Sequence, residues 1–192
     1  IHINEMTSQS EQFAPGSILA FFSALEKGKA DAACRACWNE STGSSNCFNN
    51  TLAGLLVPNT NNPRAAWWTY RYYNLSTKDR VESSATLPEI VSFASLSSDS
   101  PQTVQILLGY FGDAGAVPKN VQLTLKNLPS VTFLSSRKKV NVEILRIPNS
   151  GENVLGQTEL VSETEKDIDT SGSIAIDISK FNLKEAYIVK IF

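Results

Sequence analysis

Beyond Val81 the chain settles into a two-residue period that restricts what it can fold into. Residues 90–94, 103–108, 121–125, 140–145, 173–178 and 186–191 are short, mostly alternating apolar segments bounded by turn residues. Such segments put one side-chain set on each face of a strand, so they read as antiparallel strands. A seventh strand is expected near Val154 to Leu160. Six or seven strands of this kind imply a β-sandwich over residues 83–192.

Residues 1–82 follow different rules. Ile1, Ile3 and Glu5 share one parity of a short strand, with His2 and Asn4 on the other. A polar loop follows, and Pro15 opens a helix with a broad apolar face, read as running to Trp38 with a break at Gly28. Residues 39–50 are rich in Asn, Ser and Gly and form a loop. Leu52 to Val57 is a continuous apolar run, which suits a parallel strand covered on both faces. Asn59, Asn61 and Asn62 lie just beyond it, between Pro58 and Pro63. Their amides suit sugar hydroxyls, although the same residues also serve simply to shape turns. A helix carrying Trp67, Trp68, Tyr70, Tyr72 and Tyr73 comes next. Its aromatic surface could stack sugars, but helical spacing favours burial of Trp67 or Trp68 with Tyr70 and Tyr73. Arg64 and Arg71 are expected to form surface ion pairs of little weight.

Charge and composition exclude some classes of partner. Seventeen basic against nineteen acidic residues give a net charge of −2, which supplies no footprint for nucleic acid. The basic cluster Arg137-Lys138-Lys139 reads as a solvated strand entry. No apolar run approaches the ~20 residues that cross a bilayer, so no membrane partner is expected. The sequence begins without Met or a signal peptide and reads as a processed product. Sequons at Asn39, Asn49 and Asn74 sit in polar, turn-rich stretches and point to glycosylation and secretion. Cys37 and Cys47 are the expected disulfide, with Cys34 to Cys47 as the alternative. The leftover thiol is expected to be buried or paired with another segment. Redox and zinc chemistry are disfavoured because the Cys34–Cys37 pair is not at a helix start and the one histidine, His2, is distant.

The order strand, helix, strand, aromatic helix and β-sandwich, with Ile3-Asn4-Glu5-Met6 at the first strand end, resembles the retaining glycoside hydrolases of clan A, family 39-like enzymes included. In these a (β/α)8 barrel precedes a C-terminal β-sandwich. The resemblance implies an α/β plus all-β chain, with residues 1–82 the last βα units of the barrel and 83–192 the sandwich. It implies a glycosidase in which Glu5 is the nucleophile of the seventh barrel strand. Asn4, Asn59, Asn61 and Asn62 would touch a carbohydrate substrate, and no cofactor or metal would be needed. Glu11 and Glu26 are poorly placed as a second carboxylate, so the acid/base is expected on an upstream segment of the same precursor. The competing reading is a noncatalytic, secreted carbohydrate-binding or adhesion module.

Overall fold

A computed structural model describes residues 1–97 and 101–192. Strand β1 (His2–Met6), helix α1 (Pro15–Lys27) and strand β2 (Ala32–Arg35) form a βαβ unit whose two strands pair in parallel, His2 opposite Ala32 and Ile3 opposite Ala33. Helix α2 (Ala65–Leu75) follows a long irregular segment. The remainder is strands β3 (Arg80–Val81), β4 (Ile90–Ser97), β5 (Thr103–Tyr110), β6 (Lys119–Leu125), β7 (Lys139–Ile147), β8 (Glu159–Asp167), β9 (Ile174–Phe181) and β10 (Ala186–Ile191). They form an antiparallel six-stranded sheet, ordered β3-β4-β5-β10-β7-β8, and a two-stranded sheet, β6-β9. All six expected strands are present.

The six-stranded sheet is covered on both faces. On one, Ala94, Ile106, Leu108, Val142, Ile144 and Val189 pack against Ile174, Ile176, Ile178 and Phe181 of β9 and against Leu128 and Leu134 in two 3-10 turns. On the other, Val91, Phe93, Leu107, Leu145, Ile147 and Ile188 pack against Ile18, Leu19 and Phe22 of α1 and Ala65, Ala66 and Tyr72 of α2. Strand β5 is buried at all eight positions as a result. Helix α1 meets the sheet at glycines. A Cβ on Gly16 would lie 2.1 Å from the Tyr110 carbonyl oxygen, and one on Gly109 would lie 2.9 Å from Leu19 Cβ. The Gly16 N–H also donates to the Lys184 carbonyl at 2.9 Å.

Several sequence expectations are corrected. The first helix stops at Lys27 rather than reaching Trp38: Gly28 caps it, and Lys29 (φ 52°) turns the chain into β2. The run Leu52 to Val57 is not a strand. Leu52, Ala53 and Gly54 have φ of 54°, 52° and 83°, left-handed values that no strand accepts. The seventh sandwich strand lies at Glu159–Asp167 rather than near 154–160, because this edge strand is solvated on most of both faces and carries no apolar alternation. On α2 the buried side chains are Ala65, Ala66, Thr69 and Tyr72, while Trp67, Trp68, Tyr70 and Tyr73 are half-buried. Cys37 and Cys47 form the expected disulfide, and Cys34 is free and exposed rather than buried. Among the described residues no helix is long and apolar enough to cross a membrane.

The disulfide closes a loop with a sequence separation of 10. Replacing Cys37 and Cys47 by Ser is expected to lower unfolding free energy by about 3 kcal/mol, from the loop-entropy cost alone, in urea titration under non-reducing conditions. The Cys34→Ser chain serves as the control and should unfold at the parent midpoint.

Candidate active site

Strand β1 ends irregularly. Two residues lie between Ile3 and Met6 where one lies between their partners Ala33 and Arg35, so the strand carries an inserted residue. Glu5 (φ 60°) and Thr7 (φ 79°) hold left-handed backbone there. The simple parity expected of Ile1, Ile3 and Glu5 is therefore interrupted at the carboxylate, and Met6 turns into the core at 6% exposure. Glu5 stays exposed at the rim of an open cavity of about 550 Å³, lined also by Met6, Thr7, Phe21, Leu25 and Trp38.

Residues 1–75 contain four glutamates, and their surroundings set Glu5 apart. Glu11 receives hydrogen bonds from Ser17 Oγ and, at 2.7 Å, from Lys184 Nζ. Glu26 accepts from the Tyr73 hydroxyl at 2.7 Å and pairs with Arg80 at 2.6 Å. Burial, reinforced by the hydrogen bond to Glu26, pushes the Tyr73 hydroxyl up to about 12. Glu40 binds Arg64 through both oxygens, at 2.8 and 2.9 Å. Glu5 makes no hydrogen bond or ion pair among the described residues.

Trp38 is the site residue that sequence reasoning missed, having been read as the end of a helix. It follows β2 by three residues, and its indole N–H donates to the Thr7 carbonyl at 3.3 Å. Its backbone is clamped by the buried amide of Asn46. The Trp38 N–H donates to Asn46 Oδ1 at 2.7 Å, the Asn46 N–H to the Trp38 carbonyl at 2.9 Å, and Asn46 Nδ2 to Gln12 Oε1 at 2.8 Å. The stop signal Gly28-Lys29 followed by a four-residue Ala/Cys segment was the available clue.

A charged hub gathers around Arg64 and Glu40. Arg64 is 2% exposed, not the surface residue expected from the sequence. Its guanidinium binds Glu40, donates to the Gly54 carbonyl at 3.0 Å and the Glu152 carbonyl at 3.0 Å, and stacks 4.8 Å from the Phe13 ring. The Glu152 carboxylate, from the β7–β8 connection, accepts from the Ser41 N–H and hydroxyl, both at 2.6 Å. The hub thus ties the disulfide loop to the larger sheet. Arg71 instead lies over the Trp67 and Trp68 rings at 5.4 and 5.6 Å.

The other expected site residues do not converge on Glu5. Asn4 is exposed on β1 and is not among the residues lining the cavity. Asn59, Asn61 and Asn62 are exposed in a reverse turn closed by Asn61 N–H to the Val57 carbonyl at 3.2 Å and Val57 N–H to the Asn62 carbonyl at 2.9 Å. Asn59 and Asn61 have φ of 63° and 56°, a conformation asparagine accepts readily. Asn39, Asn49 and Asn74 are all exposed, with Asn74 in the last turn of α2. Among the described residues no His, Cys, Asp and Glu side chains group as a metal site.

Comparison with solved structures settles the kind of fold. The chain aligns over 100% of its length with 44% of N2152 from Neocallimastix frontalis, at 26% identity and a TM-score of 0.76. It aligns over 97% of its length with 43% of the GH39 enzyme from Xanthomonas axonopodis pv. citri, at 8% identity and a TM-score of 0.62. A glucosidase from Croceicoccus marinus gives 12% identity and a TM-score of 0.65, over 99% of this chain and 46% of that one. The fold is glycoside hydrolase-like. The chain spans less than half the length of each of these three structures. No protein-family model and no curated protein matches it.

Removing the Arg64 guanidinium leaves Glu40 buried and unpaired. Arg64→Ala is therefore expected to destabilise by about 3–5 kcal/mol, whereas Arg71→Ala should cost less than about 1 kcal/mol, both measured by chemical denaturation.

Proposed function

We propose that this chain is the C-terminal portion of a secreted, retaining glycoside hydrolase and that Glu5 is its nucleophile. On this reading β1 and β2 are the seventh and eighth strands of a (β/α)8 barrel. The expectation that Leu52 to Val57 forms a parallel strand gives way to β2, the strand that pairs in parallel with β1. The observation that carries the proposal is Glu5 itself: an unpartnered carboxylate at the carboxyl end of a parallel strand, facing a cavity shared with Trp38. Sites in barrel enzymes are built at that end of the strands.

The chemistry follows from these groups. A carboxylate with no ion-pair partner keeps its electron pair available for attack at an anomeric carbon. The left-handed backbone at positions 5 and 7 presents it at the strand end. Trp38 offers an apolar ring to a sugar face, and its clamped backbone limits how far that wall can shift. Retention of configuration needs a second carboxylate about 5–5.5 Å from the first, to protonate the leaving oxygen and then activate water. The glutamates held by Lys184, Arg80 and Arg64 are committed elsewhere, so the acid/base belongs to a segment outside these residues. Asn4, Asn59, Asn61 and Asn62 remain proposed sugar contacts, with the last three on a turn beyond the cavity lining. The disulfide and the three exposed sequons support an oxidising, secretory compartment.

The test is covalent trapping. The complete polypeptide, incubated with an activated 2-deoxy-2-fluoro glycoside, should gain one glycosyl mass on the peptide containing Glu5. Glu5→Gln should abolish labelling and lower turnover on the order of a thousandfold or more, with an unchanged circular dichroism spectrum. Labelling of a different carboxylate, or full turnover by Glu5→Gln, would remove Glu5 as nucleophile.

A further inference from the structure

Between Asn46 and Gly54 the usual order of burial is reversed. Phe48 is fully exposed and Leu52 is 60% exposed, whereas Asn46 is fully buried and Thr51 is 2% exposed. Polar residues inside with large apolar ones outside are the informative departure in a globular chain. Phe48, Asn50 and Leu52 all hold left-handed backbone, with φ of 53°, 62° and 54°. Asparagine accepts that region readily, and phenylalanine and leucine do not. Asn49, beside Phe48, opens the sequon Asn49-Asn50-Thr51, and its amide is fixed. Its Oδ1 accepts from the Thr51 N–H at 3.2 Å and from the Thr51 hydroxyl, and its Nδ2 donates to the Ser45 carbonyl at 3.1 Å. An asparagine amide has two acceptor positions and two N–H groups. Both acceptor positions and one N–H are engaged here, which leaves one N–H on an exposed side chain.

We infer that Asn49 carries an N-linked oligosaccharide whose innermost sugar packs on the Phe48 ring and covers the apolar tip of this loop. The inference rests on the reading of this chain as secreted. In that compartment a lipid diphosphate-linked oligosaccharide is the donor. The bond from its anomeric carbon to Asn49 Nδ2 forms, the bond to the diphosphate oxygen breaks, one amide proton is released and the lipid diphosphate leaves. The product amide keeps its carbonyl and one N–H, so it retains every hydrogen bond that Asn49 makes, and the sugar takes the place of the unused hydrogen. One face of a sugar ring is lined by C–H groups, and the Phe48 ring, one residue away, is the uncovered apolar surface within its reach. Phe48 does not line the cavity at Glu5, so a substrate held there is not what covers it. Cys47 is joined to Cys37, the residue before Trp38, so the covered loop adjoins the segment that carries Trp38.

Mass mapping of the complete polypeptide from its native source tests the modification. The peptide holding Asn49 should carry an oligosaccharide, and enzymatic release in heavy-oxygen water should deamidate Asn49 with uptake of the label. The contact is read from melting temperatures of the glycosylated polypeptide and of the same polypeptide produced without N-glycosylation, each as parent and as Phe48→Ala. Without glycan the two should melt together, because the Phe48 ring is exposed. The glycan should raise the melting temperature of the parent by about 2–4 °C and that of Phe48→Ala by less than half as much. Glycans at Asn39 and Asn74 act equally in both backgrounds and cancel. Occupancy of Asn49 with a gain that depends on Phe48 supports the inference. An unmodified Asn49 in polypeptide recovered from the medium overturns it and leaves the secretory reading standing. An equal gain in both backgrounds also overturns it, and so does a raised KM for unglycosylated Phe48→Ala, which would assign the ring to substrate. Polypeptide retained inside the cell with no oligosaccharide rejects the secretory reading and the inference together. Fluoroglycoside labelling of Glu5, read on the same samples, reports on the glycosidase alone.

Discussion

Two-sided burial of the six-stranded sheet is the constraint around which the rest of the molecule is arranged. Strands β5 and β10 lie at its centre with neighbours on both edges, so their backbone groups are satisfied within the sheet and their side chains are free to be apolar on either face. Ile188 and Leu107 are fully buried under the helices, and Ile191 is fully buried on the sandwich side. Each such side chain contributes roughly 1.5–3 kcal/mol relative to exposure. Neither helix could leave without returning that surface to water. The approach of Gly16 to the Tyr110 carbonyl explains why α1 sits so close, because any larger residue would push the helix off the sheet.

Polar chemistry governs the segment between β2 and α2. It has few strands or helices of its own, and its conformation is dictated by buried side chains that accept or donate to its backbone. Asn46 binds Trp38, Thr51 Oγ1 accepts from Gly54, and Arg64 gathers carbonyls from residues 54 and 152. Arg35 adds a bond to the Ala53 carbonyl at 2.9 Å. A guanidinium in such a place gains from its bidentate partner what it loses in hydration, and its directional donors select one loop shape over many. The local left-handed backbone at residues 52–54 persists because these contacts over-determine it.

Legibility in the sequence followed physical cause. The sandwich strands were readable because a half-buried antiparallel strand writes its environment as alternation, and the disulfide because spacing limited the choices. Strand β2 was hidden: Ala32-Ala33-Cys34-Arg35 has no β-branched or aromatic residue, and alanine favours helix, so pairing with β1 overrode propensity. Leu52 to Val57 misled for the opposite reason, its apolar side chains concealing backbone angles set by Arg35 and Arg64. Strand β8 gave no period because neither of its faces is well covered. The burial of Arg64 is a tertiary fact, requiring Glu40, Phe13 and Glu152 to arrive from three other places. The carboxylate at Glu5 was visible as a residue, while Trp38 beside it depended on locating β2 correctly.

The left-handed backbone at Glu5 sets conformational ease against the chemistry proposed for its carboxylate. Holding a non-glycine residue there costs on the order of 1 kcal/mol, and Gly or Asn would relieve it. A library at position 5 sorted only for yield of folded protein would drift toward those two residues. On the proposed reading of Glu5 as nucleophile, the same library sorted for bond cleavage would hold to glutamate despite the penalty. The divergence between the two sorted populations would measure, at a single codon, how much conformational ease this strand end gives up to keep a carboxylate at the cavity rim.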